Sequence, residues 1–303
     1  MGWDSSPLSA ISVARLIDSD PIFTYPLDRY PIQTVSADGH TTAFVRFGEG
    51  PPLVLLHGYA GAMWNWERQI ETLGKRFTVF VPDLIGHGVS AKPRIGYTPV
   101  TYLNWLEGFL TAVGIERADF VGNSMGCGLV LAMAIARPER VRRMVLISGF
   151  PAQVLNQARG SHLKWLWKLR MGFLFGLGYR LLGRRALRKF LRGIIWDPHH
   201  VTPAMIERTY RLRKDHGKPW PLWSSLRRVE HWETDFAPRL GEVTAPLLIL
   251  WGQNDRFFPP AVGEGLHRSI PGSRLTMIPN AGHLPMWEQP DLVNRLILEF
   301  LKG

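Results

Sequence analysis

The sequence predicts an α/β protein: a mostly parallel sheet with helices on both faces and one helical insertion. Three observations carry this prediction. Short apolar, β-branched runs recur without alternating polar residues, as strands buried on both faces require. Helix-length stretches separate most of these runs, and strand and helix in turn imply parallel crossovers. The alternation stops at Gly149-Phe150-Pro151 and resumes near Pro246. With 303 residues, 46% of them hydrophobic, the chain is long enough to bury one large core, and it carries no internal repeat.

In chain order, residues 1–30 read as an amphipathic lead-in helix. They lack a basic stretch ahead of an apolar core, and Asp4, Asp18 and Asp20 stand where a signal peptide is neutral. Residues 32–48 read as two antiparallel strands around the Asp38-Gly39 turn, an edge for the sheet. Buried strands are expected at 52–58, 77–83, 119–124, 144–148, 246–252 and 275–280, and helices at 99–113, 125–137 and 289–302. The core is therefore assigned to 1–150 and 236–303, and a helical cap or lid to 151–235. No uncharged apolar run is long enough to span a bilayer. The single cysteine, Cys127, excludes an internal disulfide framework and fits either a reducing compartment or a periplasmic protein that needs no bridges; the expected localisation is cytoplasmic.

The chemistry concentrates in loops that follow strands. Gly122-Asn123-Ser124-Met125-Gly126 is G-x-S-x-G between a strand and a helix, where the glycines permit a turn sharp enough to lift the serine hydroxyl clear of the backbone. A hydroxyl is a weak nucleophile until a base takes its proton, and the base needs an orienting group. His57, His87 and His283 each follow a strand. His57 in "LLHGYAG" reads as shaping an oxyanion loop and His87 in "DLIGHGVS" as a loop residue, whereas His283 in "IPNAGHLPMWEQP" can lean back over the nucleophile. Asp255 in "GQNDRFF" supplies the acid, and serine, acid, histidine is the chain order for this kind of sheet. The backbone amides of Tyr59 and Met125 are the expected oxyanion donors.

Together "HGYAG", "PDLIGHGVS", "GNSMG", "GQND" and "AGHLPMWEQP" resemble, in order and spacing, the α/β-hydrolase fold with a lid, over about residues 32–150 and 243–303. That resemblance implies an eight-stranded sheet, a triad of Ser124, Asp255 and His283, and no cofactor or metal. Substrate-pocket and lid candidates are His57, Trp165, Trp167 and Trp287. Serine at 124 argues against the relatives that use aspartate there, the haloalkane dehalogenases and epoxide hydrolases.

The expectation drawn from this set is a serine esterase or lipase-like enzyme that cleaves hydrophobic acyl or aryl carboxylic esters through an acyl-enzyme. Two alternatives accompany it. Carbon–carbon hydrolases of ring-cleavage products share the "NSMG" elbow and a tryptophan four residues past the histidine, but "HGYAGAM" lacks their Pro-Gly-Ala oxyanion loop, which ranks this reading second. The other is a non-catalytic or lipid-sensing relative.

The net charge of +11 has an address: residues 151–235 hold 17 basic and 6 acidic side chains, and the rest of the chain balances. Within 182–195, Leu182, Ala186, Leu187, Phe190, Leu191, Ile194 and Ile195 share one helical side and Arg184, Arg185, Arg188, Lys189 and Arg192 the other. A lid helix with a solvated charged face is the plain reading, and peripheral contact with anionic membrane the sharper one. Nucleic acid is not expected, since no binding motif accompanies the charge. Monomer and homodimer stay open.

Overall fold

The computed structural model describes residues 30–149 and 172–302; the lead-in segment, Trp165 and Trp167 lie outside the described residues. Strands β1 (Ile32–Ala37) and β2 (His40–Phe47) pair antiparallel, with Ala37 opposite His40. Asp38 and Gly39 both take positive φ at the turn, as a two-residue hairpin requires. Next come β3 (Pro52–Leu56), α1 (Glu67–Gly74), β4 (Thr78–Pro82), α2 (Pro99–Ala112), β5 (Ala118–Asn123), α3 (Met125–Ala136) and β6 (Val141–Ile147). After the described helices that separate them from β6 come β7 (Leu247–Gly252), α9 (Pro260–Ser269), β8 (Arg274–Ile278), α10 (Pro285–Glu288) and α11 (Pro290–Lys302).

The eight strands lie in the order β1-β2-β4-β3-β5-β6-β7-β8, parallel from β4 to β8. Every residue of β4, β5 and β7 is buried. Within β3, Leu53 and Leu55 enter one core cluster while Val54 and Leu56 enter the other, so an unbroken apolar run serves both faces at once. From β3 the chain steps to β4 on one side and then crosses to β5 on the other. The loops leaving β3 and β5 are thereby neighbours at the carboxyl edge of the sheet, the crevice where open α/β sheets hold ligands.

Between β6 and β7 the described residues form α4 (Gly172–Leu181), α5 (Arg184–Ile194), α6 (Pro203–Arg211), α7 (Pro219–Arg227) and α8 (Glu230–Asp235). Leu187, Leu191 and Ile195 of the α5 region are buried as the spacing predicts. Leu182, Ala186 and Phe190 are exposed instead, because α5 meets the core through only part of its apolar arc. No helix among the described residues is long and apolar enough to cross a membrane.

Candidate active site

Ser124 stands between β5 and α3 with φ 53° and ψ −117°, a conformation that L-residues avoid and that costs on the order of 1–3 kcal/mol. Its neighbours make the bend possible. A Cβ added to Gly122 would lie 2.6 Å from the Gly126 carbonyl carbon, and one added to Gly126 would run into the Leu56 carbonyl oxygen of β3. The turn is anchored by the Ser124 amide, which donates to Ile147 O at 3.1 Å, and by Asn123 Nδ2, which donates to the same carbonyl at 3.0 Å. Among the described residues the hydroxyl makes no hydrogen bond, and the residue is partly exposed.

His283 follows β8, and its Nδ1 donates to Asp255 Oδ2 at 2.8 Å, with both residues 4% exposed. The bond fixes the tautomer, leaving Nε2 as the ring's proton acceptor. The other carboxylate oxygen, Asp255 Oδ1, accepts the amides of Phe257 and Phe258 at 2.8 and 2.9 Å. The rings of those two phenylalanines flank His283 at 4.9 and 5.1 Å. Both carboxylate oxygens of Asp255 are thus held by donors, away from water. No direct hydrogen bond joins Ser124 Oγ to His283 among the described residues, a spacing common in ligand-free catalytic sites.

The β3 loop brings Gly58 against the serine: a Cβ on Gly58 would sit 2.9 Å from Ser124 Cβ. His57 holds this loop from behind. Its Nε2 accepts the Leu84 amide at 3.1 Å, so its Nδ1 carries the proton and donates to Gly58 O at 2.8 Å. Burial pushes its pKa down to about 4, only partly offset by that bond to Gly58, so the ring is neutral at pH 7. His87 is likewise depressed to about 3, by burial first and by the charge on His57 second. Neither is poised as a base. The amides of Tyr59 and Met125 are not committed to backbone hydrogen bonds among the described residues, which leaves both free to donate to an oxyanion.

Two of the pocket candidates need correction. His57 is fully buried and bonded within its loop. Trp287 is 3% exposed, donates Nε1–H to Asn65 O at 2.8 Å and packs edge-on against Trp64. Both are anchors beneath the site, since each spends its polar atoms on backbone.

Sequence reasoning missed Glu288. Its Oε1 accepts the amide of Gly282 at 2.7 Å, immediately before His283, and its Oε2 accepts those of Trp196 and Asp197, just past α5, at 2.7 and 3.1 Å. The His283 amide itself donates to Ile194 O at 2.7 Å. Burial holds the Glu288 carboxyl above its usual range, against the three amides that pull it down. Among the described residues no group of three or more His, Cys, Asp and Glu gathers as a metal site.

A family model described as alpha/beta hydrolase fold matches residues 51–290. The chain belongs to that family. This α/β hydrolase is 33% identical over 263 residues to the 2-hydroxy-6-oxononadienedioate/2-hydroxy-6-oxononatrienedioate hydrolase 2 of Pseudomonas putida, covering 84% of this chain and 89% of that one. It is 29% identical over 264 residues to the 2-hydroxy-6-oxo-6-phenylhexa-2,4-dienoate hydrolase of Burkholderia cepacia, covering 84% and 88%. Among solved structures it is similar to a meta-cleavage product hydrolase from Pseudomonas fluorescens, with a TM-score of 0.73 and 26% identity over 89% of this chain and 97% of that one. These relatives overturn the carboxylic ester expectation. The missing Pro-Gly-Ala loop had ranked carbon–carbon hydrolysis second, yet proteins named for dienoate hydrolysis match over 84% of this chain.

Proposed function

We propose that this α/β hydrolase cleaves the carbon–carbon bond beside a ketone in a 2-hydroxy-6-oxo-dienoate, the product class of oxidative ring opening. The likeness to named dienoate hydrolases over more than four fifths of the chain carries this reading. The chemistry suits a buried Asp255–His283 pair beside a serine. Ketonisation moves the enol proton to the carbon next to the ketone. Ser124 Oγ then attacks the ketone carbon as His283 Nε2 takes its proton, and the amides of Tyr59 and Met125 hold the resulting oxyanion. Collapse breaks the carbon–carbon bond, and its electron pair passes through the conjugated chain onto the 2-oxo oxygen, so the leaving group departs as a dienolate and not as a bare carbanion. The dienolate oxygen takes up a proton. Water activated by His283 then releases the acyl group as a carboxylic acid.

The test is loss of absorbance of 2-hydroxy-6-oxo-6-phenylhexa-2,4-dienoate, run beside nitrophenyl esters of increasing chain length. The dienoate is expected to turn over at least about tenfold faster in kcat/KM, and Ser124→Ala to remove that activity. Faster ester turnover, or a Ser124→Ala variant as active as the parent, would overturn the proposal.

A further inference from the structure

Helix α4 presents its apolar side to solvent. It rests on α7 through Phe175, whose ring lies 5.4 Å from that of Trp223, with Tyr179 stacked against Phe175 at 6.4 Å. The opposite side carries Phe173, Leu174, Leu177 and Leu181, which recur at helical spacing and are exposed by 77%, 38%, 44% and 73%. Helices of soluble proteins place such a stripe inward. A contiguous outward one marks a contact surface.

Charge says what contacts it. Arg180 lies on α4 itself, and α5, two residues further on, carries Arg185, Arg188 and Arg192 together on one exposed side, with Lys189 beside them. Arg184 is committed to Glu207, but among the described residues none of these other five cations has an acidic partner within ion-pair distance. α4 has no acidic residue at all. A second copy of the chain meeting this face about a two-fold axis would bring two cationic clusters together. Nucleic acid would use the cations and gain nothing from the exposed phenylalanine and leucines. An anionic bilayer uses both, taking the apolar side chains below its headgroups and the arginines at its surface.

We infer that the outward face of α4, with the cationic side of α5, is a docking surface for an anionic lipid bilayer. Its docking role is independent of what the Ser124 site cleaves.

Sedimentation of the full chain with vesicles tests this. Wild type is expected to bind mixed phosphatidylglycerol–phosphatidylcholine vesicles at least about tenfold more tightly than phosphatidylcholine alone, with the preference lost in high salt. The triple variants Phe173→Ser/Leu177→Ser/Leu181→Ser and Arg185→Glu/Arg188→Glu/Arg192→Glu are each expected to weaken binding to the mixed vesicles by about tenfold or more while keeping the parent's circular dichroism and melting temperature. No binding to mixed vesicles, equal binding to both vesicle types, or an apolar variant that binds as wild type would overturn the inference. So would a wild-type dimer that the serine variant dissolves without any vesicle binding, or tighter retention on duplex DNA than on vesicles.

Discussion

Ser124, Asp255 and His283 were each legible because each sits in a motif whose backbone demands are local. Glycines two residues either side of Ser124 announce its positive φ, and the short loops after β7 and β8 announce a group at the sheet edge. What Asp255 does with its second oxygen was less visible, although Asp followed by amides two and three residues on is a recognisable turn pattern. The arrangement gives a sharp expectation for Asp255→Asn. An amide still accepts from Phe257 and Phe258 but can present an N–H to His283, which then holds the wrong tautomer with Nε2 protonated. Turnover of the dienoate should fall by about 10⁴ while KM changes little, as read from steady-state kinetics on a variant with an unchanged melting temperature.

At the scale of elements, strand positions followed from composition alone, since a run such as 247–252 with every residue buried leaves no other use for its side chains. The strand order did not follow, because it depends on which way each crossover turns. Nor could helical spacing say how much of the apolar arc of α5 would be covered, and Phe190 ended outside. Glu288 was invisible for a similar reason: its partners Trp196 and Asp197 are more than ninety residues away in sequence, and only the packed fold reveals three amides converging on one carboxylate. It ties the His283 loop to the segment after α5, and Gly282 allows the approach, since a Cβ there would meet Ile194 O at 2.7 Å. Glu288→Ala strands those amides and should cost about 3 kcal/mol in denaturant melts. Under the proposed mechanism, in which His283 is the base, it should also lower kcat more than it raises KM. A variant that loses stability with kcat intact would leave Glu288 as a brace and nothing more.

For the molecule as a whole, the two histidines behind the oxyanion loop tie stability to acidity. In the unfolded chain both titrate near 6.5, whereas in the folded protein burial holds His57 neutral down to about 4 and His87 down to about 3. Between those values the unfolded state binds more protons than the native state, so unfolding free energy decreases as pH falls. At about 1.4 kcal/mol per pH unit per group, the combined loss is on the order of 8 kcal/mol, comparable with a domain's whole net stability. Thermal melts should therefore be nearly flat from pH 8 to about 7 and drop steadily from pH 6.5 toward 4. His87→Gln removes one of the two titrating groups and should flatten the acid limb, leaving the residual slope to His57. Because His57 Nε2 must stay unprotonated to accept the Leu84 amide, its protonation also releases the loop that carries Gly58 and Tyr59. An acid limb unchanged in His87→Gln would mean that other groups govern acid unfolding.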